Sequence, residues 1–81
     1  MQKGDTYIFN THLGVWIGTI VDITPEEVVL DEASWVADTG RFHELVQEGT
    51  YKELEYCGNG IIVPRHCIKI PWRHKLPKKS K

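Results

Sequence analysis

Hydrophobic and polar positions alternate along most of the chain, and a period of two is typical of β-strands. The alternation predicts short strands over residues 7–13, 15–23, 28–35, 52–56, 61–63 and 67–70. Turn chemistry separates them, with a proline turn at Thr24-Pro25-Glu26-Glu27 and a hairpin signal at Asn59-Gly60. The chain is therefore expected to be mainly β.

The second strand contains a glycine in its interior. Gly18 predicts a bulge or a strong bend, because glycine weakens a regular strand and often marks such positions. The alternation places four apolar residues of this strand on one face, namely Val15, Ile17, Val21 and Ile23.

The period changes between residues 38 and 49. Apolar residues at i, i+3 and i+4 predict one face of a short helix, made by Phe42, Leu45 and Val46. Asp38 or Thr39 is expected to cap the N-terminus of this helix, with Gly40 in its first turn. Gly49 fits the left-handed position just past its end.

The composition is that of one small domain with a thin core. Of 81 residues, 41% are hydrophobic and 26% are charged, as in ordinary globular proteins. We assign residues 1–74 to a single domain. Residues 75–81 are basic, lack apolar periodicity and are predicted to be a disordered tail.

The chain shows no sign of a membrane or secreted protein. No apolar stretch reaches membrane-spanning length, and the first residues lack the apolar core of a signal peptide. Two cysteines, Cys57 and Cys67, are too few for a secreted disulfide framework. We therefore expect a cytoplasmic protein without membrane contact.

The net charge of −1 conceals an asymmetry. Residues 1–64 hold eleven acids against three bases, a net charge of −8, whereas residues 65–81 hold seven bases and no acid. This split favours an anionic partner at the tail, charge pairing between subunits, or a tail that serves solubility.

Two segments carry a resemblance to small barrels. Gly18-Thr19-Ile20-Val21-Asp22-Ile23 with Val28-Val29-Leu30-Asp31 is similar to the first half of the Sm pattern, and residues 62–70 are similar to its second half. The resemblance implies a small SH3-like or Sm-like antiparallel barrel of about five strands. The sequence departs from the Sm pattern in its helix, inserted between strands three and four, and in His66, which stands where a glycine is expected.

A second resemblance rests on two ungapped blocks. The segments Ala33-Ser34-Trp35-Val36-Ala37-Asp38-Thr39-Gly40-Arg41-Phe42 and Pro71-Trp72-Arg73-His74-Lys75-Leu76-Pro77 resemble a family of small phage and prophage proteins. The resemblance implies a viral origin and an accessory role, and it carries no site residues.

The side chains do not form a recognisable catalytic or metal motif. Eighteen residues contain four potential metal ligands, but these lack the paired short spacings of structural zinc sites: Cys57, His66, Cys67 and His74. No nucleophile has an evident oriented base, and no phosphate loop or dinucleotide fingerprint is present. We predict a protein that is not an enzyme and needs no cofactor.

Tryptophans and arginines favour a binding site. Indole rings stack on bases, arginines grip phosphates, and a helix N-terminus offers free N–H groups. The predicted ligand site comprises Trp35, Asp38, Thr39, Gly40, Arg41, Phe42, Arg65, Trp72, Arg73 and His74. These residues are expected to meet across a subunit boundary. The alternative that the tryptophans fill a core or a subunit interface stays open.

These features lead to one functional hypothesis and two alternatives. We expect a homo-oligomer, formed like Sm rings by pairing of edge strands, that binds and sequesters a nucleotide or cyclic nucleotide used as a signal in host defence. The first alternative is an inhibitor or adaptor that docks on a host defence protein. The second is an Sm-like binder of single-stranded nucleic acid. Under the leading hypothesis, the tail lysines Lys78 and Lys79 contribute little.

Overall fold

A computed structural model describes residues 1–81. Its elements are β1 (Thr6–Thr11), β2 (Gly14–Ile23), β3 (Glu27–Asp38), α1 (Phe42–Glu48), β4 (Glu53–Gly58), β5 (Ile61–Pro64) and β6 (Ile68–Pro71). The mainly β class is confirmed, and the one short helix lies between the third and fourth strands as predicted. There are six strands rather than about five.

All six strands belong to one antiparallel sheet in the order β4-β3-β2-β1-β6, with β5 attached to β3 outside this path. β3 is shared: its first half pairs with β5 and its second half with β4. Between these halves lies Glu32, the only non-glycine residue with a positive φ, at 51°. β3 therefore changes partner strand at an irregular backbone position.

The predicted barrel is not closed. β5 pairs only with β3 and β6 only with β1, so the two strands do not complete a ring. Each has four residues and ends in a proline, Pro64 or Pro71, which cannot donate a hydrogen bond. Strands this short leave a gap instead of a continuous ladder.

Gly18 marks the predicted bulge in β2. A Cβ built on this residue would lie 3.0 Å from Cβ of Leu30, and the register to β3 shifts between Ile17 and Thr19. A second shift follows at Val21, which is 39% exposed, whereas Ile20 is fully buried. The prediction that Val21 shares the buried face of Ile17 was wrong because the irregularities change the phase of the alternation.

The sheet has a hydrophobic core on each face. The helix-side core consists of Ile8, Ile17, Val36, Leu45, Leu54 and Trp72, with Phe42, Val46 and Leu76 among the residues packed against it. The barrel core consists of Phe9, Ile20, Val28, Leu30, Ala33 and Val63. Each face therefore carries fully buried residues, and the central strands do not have one apolar and one polar face.

The helix buries the face that its spacing predicts, with Leu45 fully buried. Gly49 ends it with φ 72°, as expected. The predicted N-terminal caps were wrong: the N-cap residue is Arg41, without a side-chain cap, and Gly40 precedes the helix. The Asp38 carboxylate instead accepts a hydrogen bond from the Gly40 N–H at 2.9 Å, which forms a local turn.

The structure places residues 75–81 against the body, in contrast to the predicted disorder. Lys81 exchanges two backbone hydrogen bonds with Leu54 on β4, at 2.7 and 2.8 Å, and the Ser80 hydroxyl accepts one from the Tyr56 N–H at 3.0 Å. Pro77 is buried, and Leu76 packs on the helix-side core. The open edge of β4 supplies partners that the tail sequence alone does not reveal. We call residues 72–81 the C-terminal segment.

Candidate anion-binding site

Within a single chain, the ten residues of the predicted site do not come together. They lie in three regions: from β3 through the turn before α1 to the first residue of α1, at the connection between β5 and β6, and in the C-terminal segment. Only the last region borders a cavity.

Trp35 lies on the face of the sheet opposite the helix. It is the cross-strand partner of Trp16, which packs against the barrel core, and such partners share a face. Its indole lies over Gly14, where an added Cβ would be 2.7 Å from Nε1, and the residue is 37% exposed. The sheet therefore separates Trp35 from the C-terminal segment.

The turn before the helix is occupied by its own hydrogen bonds. Asp38 accepts from the Gly40 N–H, and the Thr39 hydroxyl donates to the Gly40 carbonyl at 2.9 Å. Arg41 is exposed and Phe42 packs on the helix-side core. A carboxylate bonded within this turn disfavours an anion there.

Arg65 has a structural role at the opposite end of β3. Its Nη1 donates to the Thr24 carbonyl at 3.1 Å, and its backbone N–H donates to the Glu26 carbonyl at 2.9 Å. These bonds hold the β5–β6 connection against the turn before β3. Asp38 ends the same strand twelve residues after Glu26, so Arg65 is not part of a site with the residues before α1.

Trp72 belongs to the core rather than to a ligand-stacking surface. It is only 6% exposed, and its Nε1 donates to the Lys75 carbonyl at 3.3 Å. The His74 ring meets the indole edge-on, with centroids 4.9 Å apart. Trp72 therefore packs against the His74 ring and helps to fix its position.

A cavity of about 270 Å³ lies between the end of α1 and the C-terminal segment. Its lining residues are Val46, Gln47, Ile70, Pro71, Arg73 and His74. Two of them, Arg73 and His74, belong to the predicted site. No sequence pattern points to Gln47 or Ile70, because their nearness to Arg73 depends on how the helix packs on the sheet.

His74 is held in one orientation. Its Nε2 lies 2.9 Å from the Val46 carbonyl oxygen, which can only accept, so the proton of this bond is on Nε2. A Cβ on Gly49 would lie 2.7 Å from Cγ of the same ring, so the glycine allows this close contact. The helix end and the imidazole thus form one wall of the cavity.

The cavity lining is cationic. Arg73 is exposed and takes part in neither of the two ion pairs of the protein, Lys3–Asp22 and Lys78–Glu32. No carboxylate lines the cavity. The guanidinium and the Gln47 amide supply N–H donors, while Val46 and Ile70 supply apolar surface. This combination can bind an anionic group that is attached to a less polar body.

The potential metal ligands do not assemble into a site. No group of three or more His, Cys, Asp or Glu side chains lies together. Cys57 is exposed, whereas Cys67 is half-buried and its Sγ lies 3.2 Å from the Pro64 carbonyl oxygen. Burial raises the pKa of the Cys67 thiol above its ordinary value, and the Lys69 ammonium lowers it in part.

Comparisons with known proteins found no family model, no curated protein and no solved structure that matches the chain. Among the elements described above, no helix has the length and apolar character needed to cross a membrane.

Proposed function

We propose that the protein is a non-catalytic binding module that holds the phosphate group of a nucleotide in the cavity between α1 and the C-terminal segment. The observation that carries this proposal is that Arg73 and His74 line the same cavity. The Arg73 guanidinium has no ion-pair partner, the His74 imidazole is held in one orientation, and no carboxylate lines the cavity. Charge-assisted hydrogen bonds from arginine are well suited to phosphate.

The size and lining of the cavity are compatible with part of a nucleotide. Its volume of about 270 Å³ is slightly below the roughly 300–1,000 Å³ of sites that enclose drug-sized ligands. The phosphate would contact Arg73 and Gln47, and the sugar would pack on Val46 and Ile70. The base would extend towards solvent.

Binding without turnover would sequester the nucleotide. If the chain is viral, as the two sequence blocks imply, this occurs in the host cytoplasm and withdraws a signal from host defence. Sequestration needs only affinity and abundance, which a short non-catalytic chain can provide.

Homo-oligomerisation remains part of the proposal. It would use exposed apolar side chains rather than backbone pairing between the edge strands of two copies. The Arg65 N–H bonds to Glu26 in the turn before β3 and the Trp72 N–H bonds to Thr6 on β1, so Pro64 and Pro71 turn their nitrogen outward and block the free edges of β5 and β6. Ile62 and Ile68 on these strands are 57% and 63% exposed and offer apolar surface for a second copy. Sedimentation of a strict monomer at high concentration would exclude it.

A second candidate function is docking on a host protein. Trp35 is exposed beside its partner Trp16, and Glu55 pairs with it from β4. An exposed aromatic surface favours a protein partner, because aromatic residues are enriched at protein interfaces. Binding of single-stranded nucleic acid has less support, because Trp35 lies on the face of the sheet opposite Trp72 and Leu76 of the basic C-terminal segment.

Calorimetric titration with adenosine monophosphate tests the leading proposal. Arg73→Gln should weaken binding at least about tenfold, since a charge-assisted hydrogen bond is lost. Arg41→Gln is the matched control, because it removes the same charge from an exposed residue about 9 Å from Gln47 along the helix axis. Equal effects of the two variants would contradict a site in this cavity.

A further inference from the structure

The C-terminal segment borders a second cavity, distinct from the one that Arg73 lines. This cavity measures about 370 Å³ and is lined by Tyr51, Lys75, Leu76, Pro77, Lys78 and Lys79. The sequence leaves an anionic partner of the tail as one of three alternatives, and the leading hypothesis assigns Lys78 and Lys79 little contribution. In the structure they line a wall of defined shape.

The second cavity concentrates positive charge. Of its three lysines, only Lys78 pairs with an acid, Glu32, at 3.6 Å. A fourth ammonium contacts the lining residue Tyr51: the Lys81 Nζ lies 5.4 Å from the centre of the Tyr51 ring and donates to the Tyr51 carbonyl at 3.3 Å. No carboxylate is among the lining residues.

The segment is fixed by contacts that do not involve these charges. Pro77 is buried, Leu76 packs on the helix-side core, and the Lys81 backbone is hydrogen-bonded to Leu54. These anchors prevent the lysine-bearing chain from moving away to relieve repulsion between like charges. Binding an anion between the ammonium groups would offset that repulsion.

The two cavities are adjacent along the chain. His74 lines the first and Lys75 lines the second, and consecutive Cα atoms are about 3.8 Å apart. A ligand whose two anionic groups match the separation of the cavities would engage both at once. Two joined contacts bind more tightly than one because the second is formed within the complex.

We propose that the lysine cavity is a second anion subsite and that the ligand is a nucleotide with two separate phosphate groups. This inference rests on the proposed function, since it extends the ligand held at Arg73. It assigns the basic C-terminal segment to recognition of the second phosphate.

The test compares two probes by calorimetry at physiological ionic strength: adenosine monophosphate and the linear dinucleotide pApA, which carries two phosphates. The unmodified protein should bind pApA at least about tenfold more tightly than the monophosphate. Lys75→Gln combined with Lys79→Gln should remove this advantage and leave the affinity for the monophosphate unchanged. Lys3→Gln, which removes one lysine charge at a residue that lines neither cavity, should change neither affinity.

Failures of the two proposals are distinguishable. If the monophosphate binds and responds to Arg73→Gln, but pApA binds no more tightly, the second subsite is refuted and the first stands. If the lysine variant weakens both probes equally, the lysines act only through general charge and the subsite is refuted. If neither probe binds, both proposals fail. Circular dichroism of each variant confirms that it is folded.

Discussion

The backbones of Leu54 and Lys81 exchange two hydrogen bonds, of 2.8 and 2.7 Å, so that the C-terminal residue extends the sheet beyond β4. This pairing closes the C-terminal segment over the helix-side core. It also protects an edge strand that would otherwise be free to pair with other chains.

Removal of residues 75–81 should destabilise the fold, because Leu76 and Pro77 would no longer cover the helix-side core. Burial of one such side chain is worth roughly 1.5–3 kcal/mol, which corresponds to a fall in Tm of about 10 °C. Thermal unfolding followed by circular dichroism measures the change. The control is Lys75→Gln with Lys79→Gln, which keeps the apolar contacts and should leave Tm nearly unchanged. An unchanged Tm after truncation would show that the segment does not pack.

Gly49→Ala should cost more stability than Gly58→Ala. Both glycines have positive φ, 72° and 87°, and each substitution incurs about 1–2 kcal/mol of backbone strain. Only at Gly49 would the new Cβ also meet another group, the His74 ring at 2.7 Å, whereas nothing lies within 4 Å at Gly58. Chemical denaturation compares the two variants. Equal losses would mean that His74 does not pack against the helix end.

Trp72 and Trp35 should respond differently to truncation. Trp72→Ala removes a core side chain that is 6% exposed and should cost roughly 3–5 kcal/mol. Trp35→Ala, at a residue 37% exposed, should cost about 1 kcal/mol or less. Free energies of unfolding in urea measure both. A larger loss at Trp35 would contradict the assignment of the two indoles.

Cys57 should react with iodoacetamide faster than Cys67. Cys57 is exposed, whereas Cys67 is half-buried and burial raises the pKa of its thiol, so less of it is thiolate. Mass spectrometry of peptides at successive times measures the two rates, and faster labelling of Cys67 would contradict the burial. Because the folded chain binds this proton more tightly, the associated stability is present below the ordinary thiol pKa. It is lost as the pH rises through the raised value.

Features set by local chemistry could be predicted from the sequence. The spacing of Phe42, Leu45 and Val46 determines which helix face is buried, and Gly49 ends the helix because it tolerates a left-handed backbone. Gly18 marks the bend in β2 because a side chain there would meet Leu30. Each of these depends on a few neighbouring residues or on the steric properties of one residue type.

Features set by distant contacts could not be predicted. Ile8 and Phe9 are adjacent and both fully buried, because the sheet has a core on each face, and alternation gives no sign of a second covered face. Similarly, composition does not distinguish the buried Trp72 from the exposed Trp35. Arg65 was assigned to the site because it is an arginine, but its partner Thr24 lies 41 residues away in the sequence.

The most direct test of the phosphate site is to map where adenosine monophosphate binds, using ¹H–¹⁵N spectra of the intact protein. The account predicts that the Nε–H of Arg73 and the side-chain amide of Gln47 shift together on titration, while the Nε–H signals of Arg41 and Arg65 stay in place. Shifts at Arg41 or Arg65 with none at Arg73, or no shift at any of these groups, would contradict it.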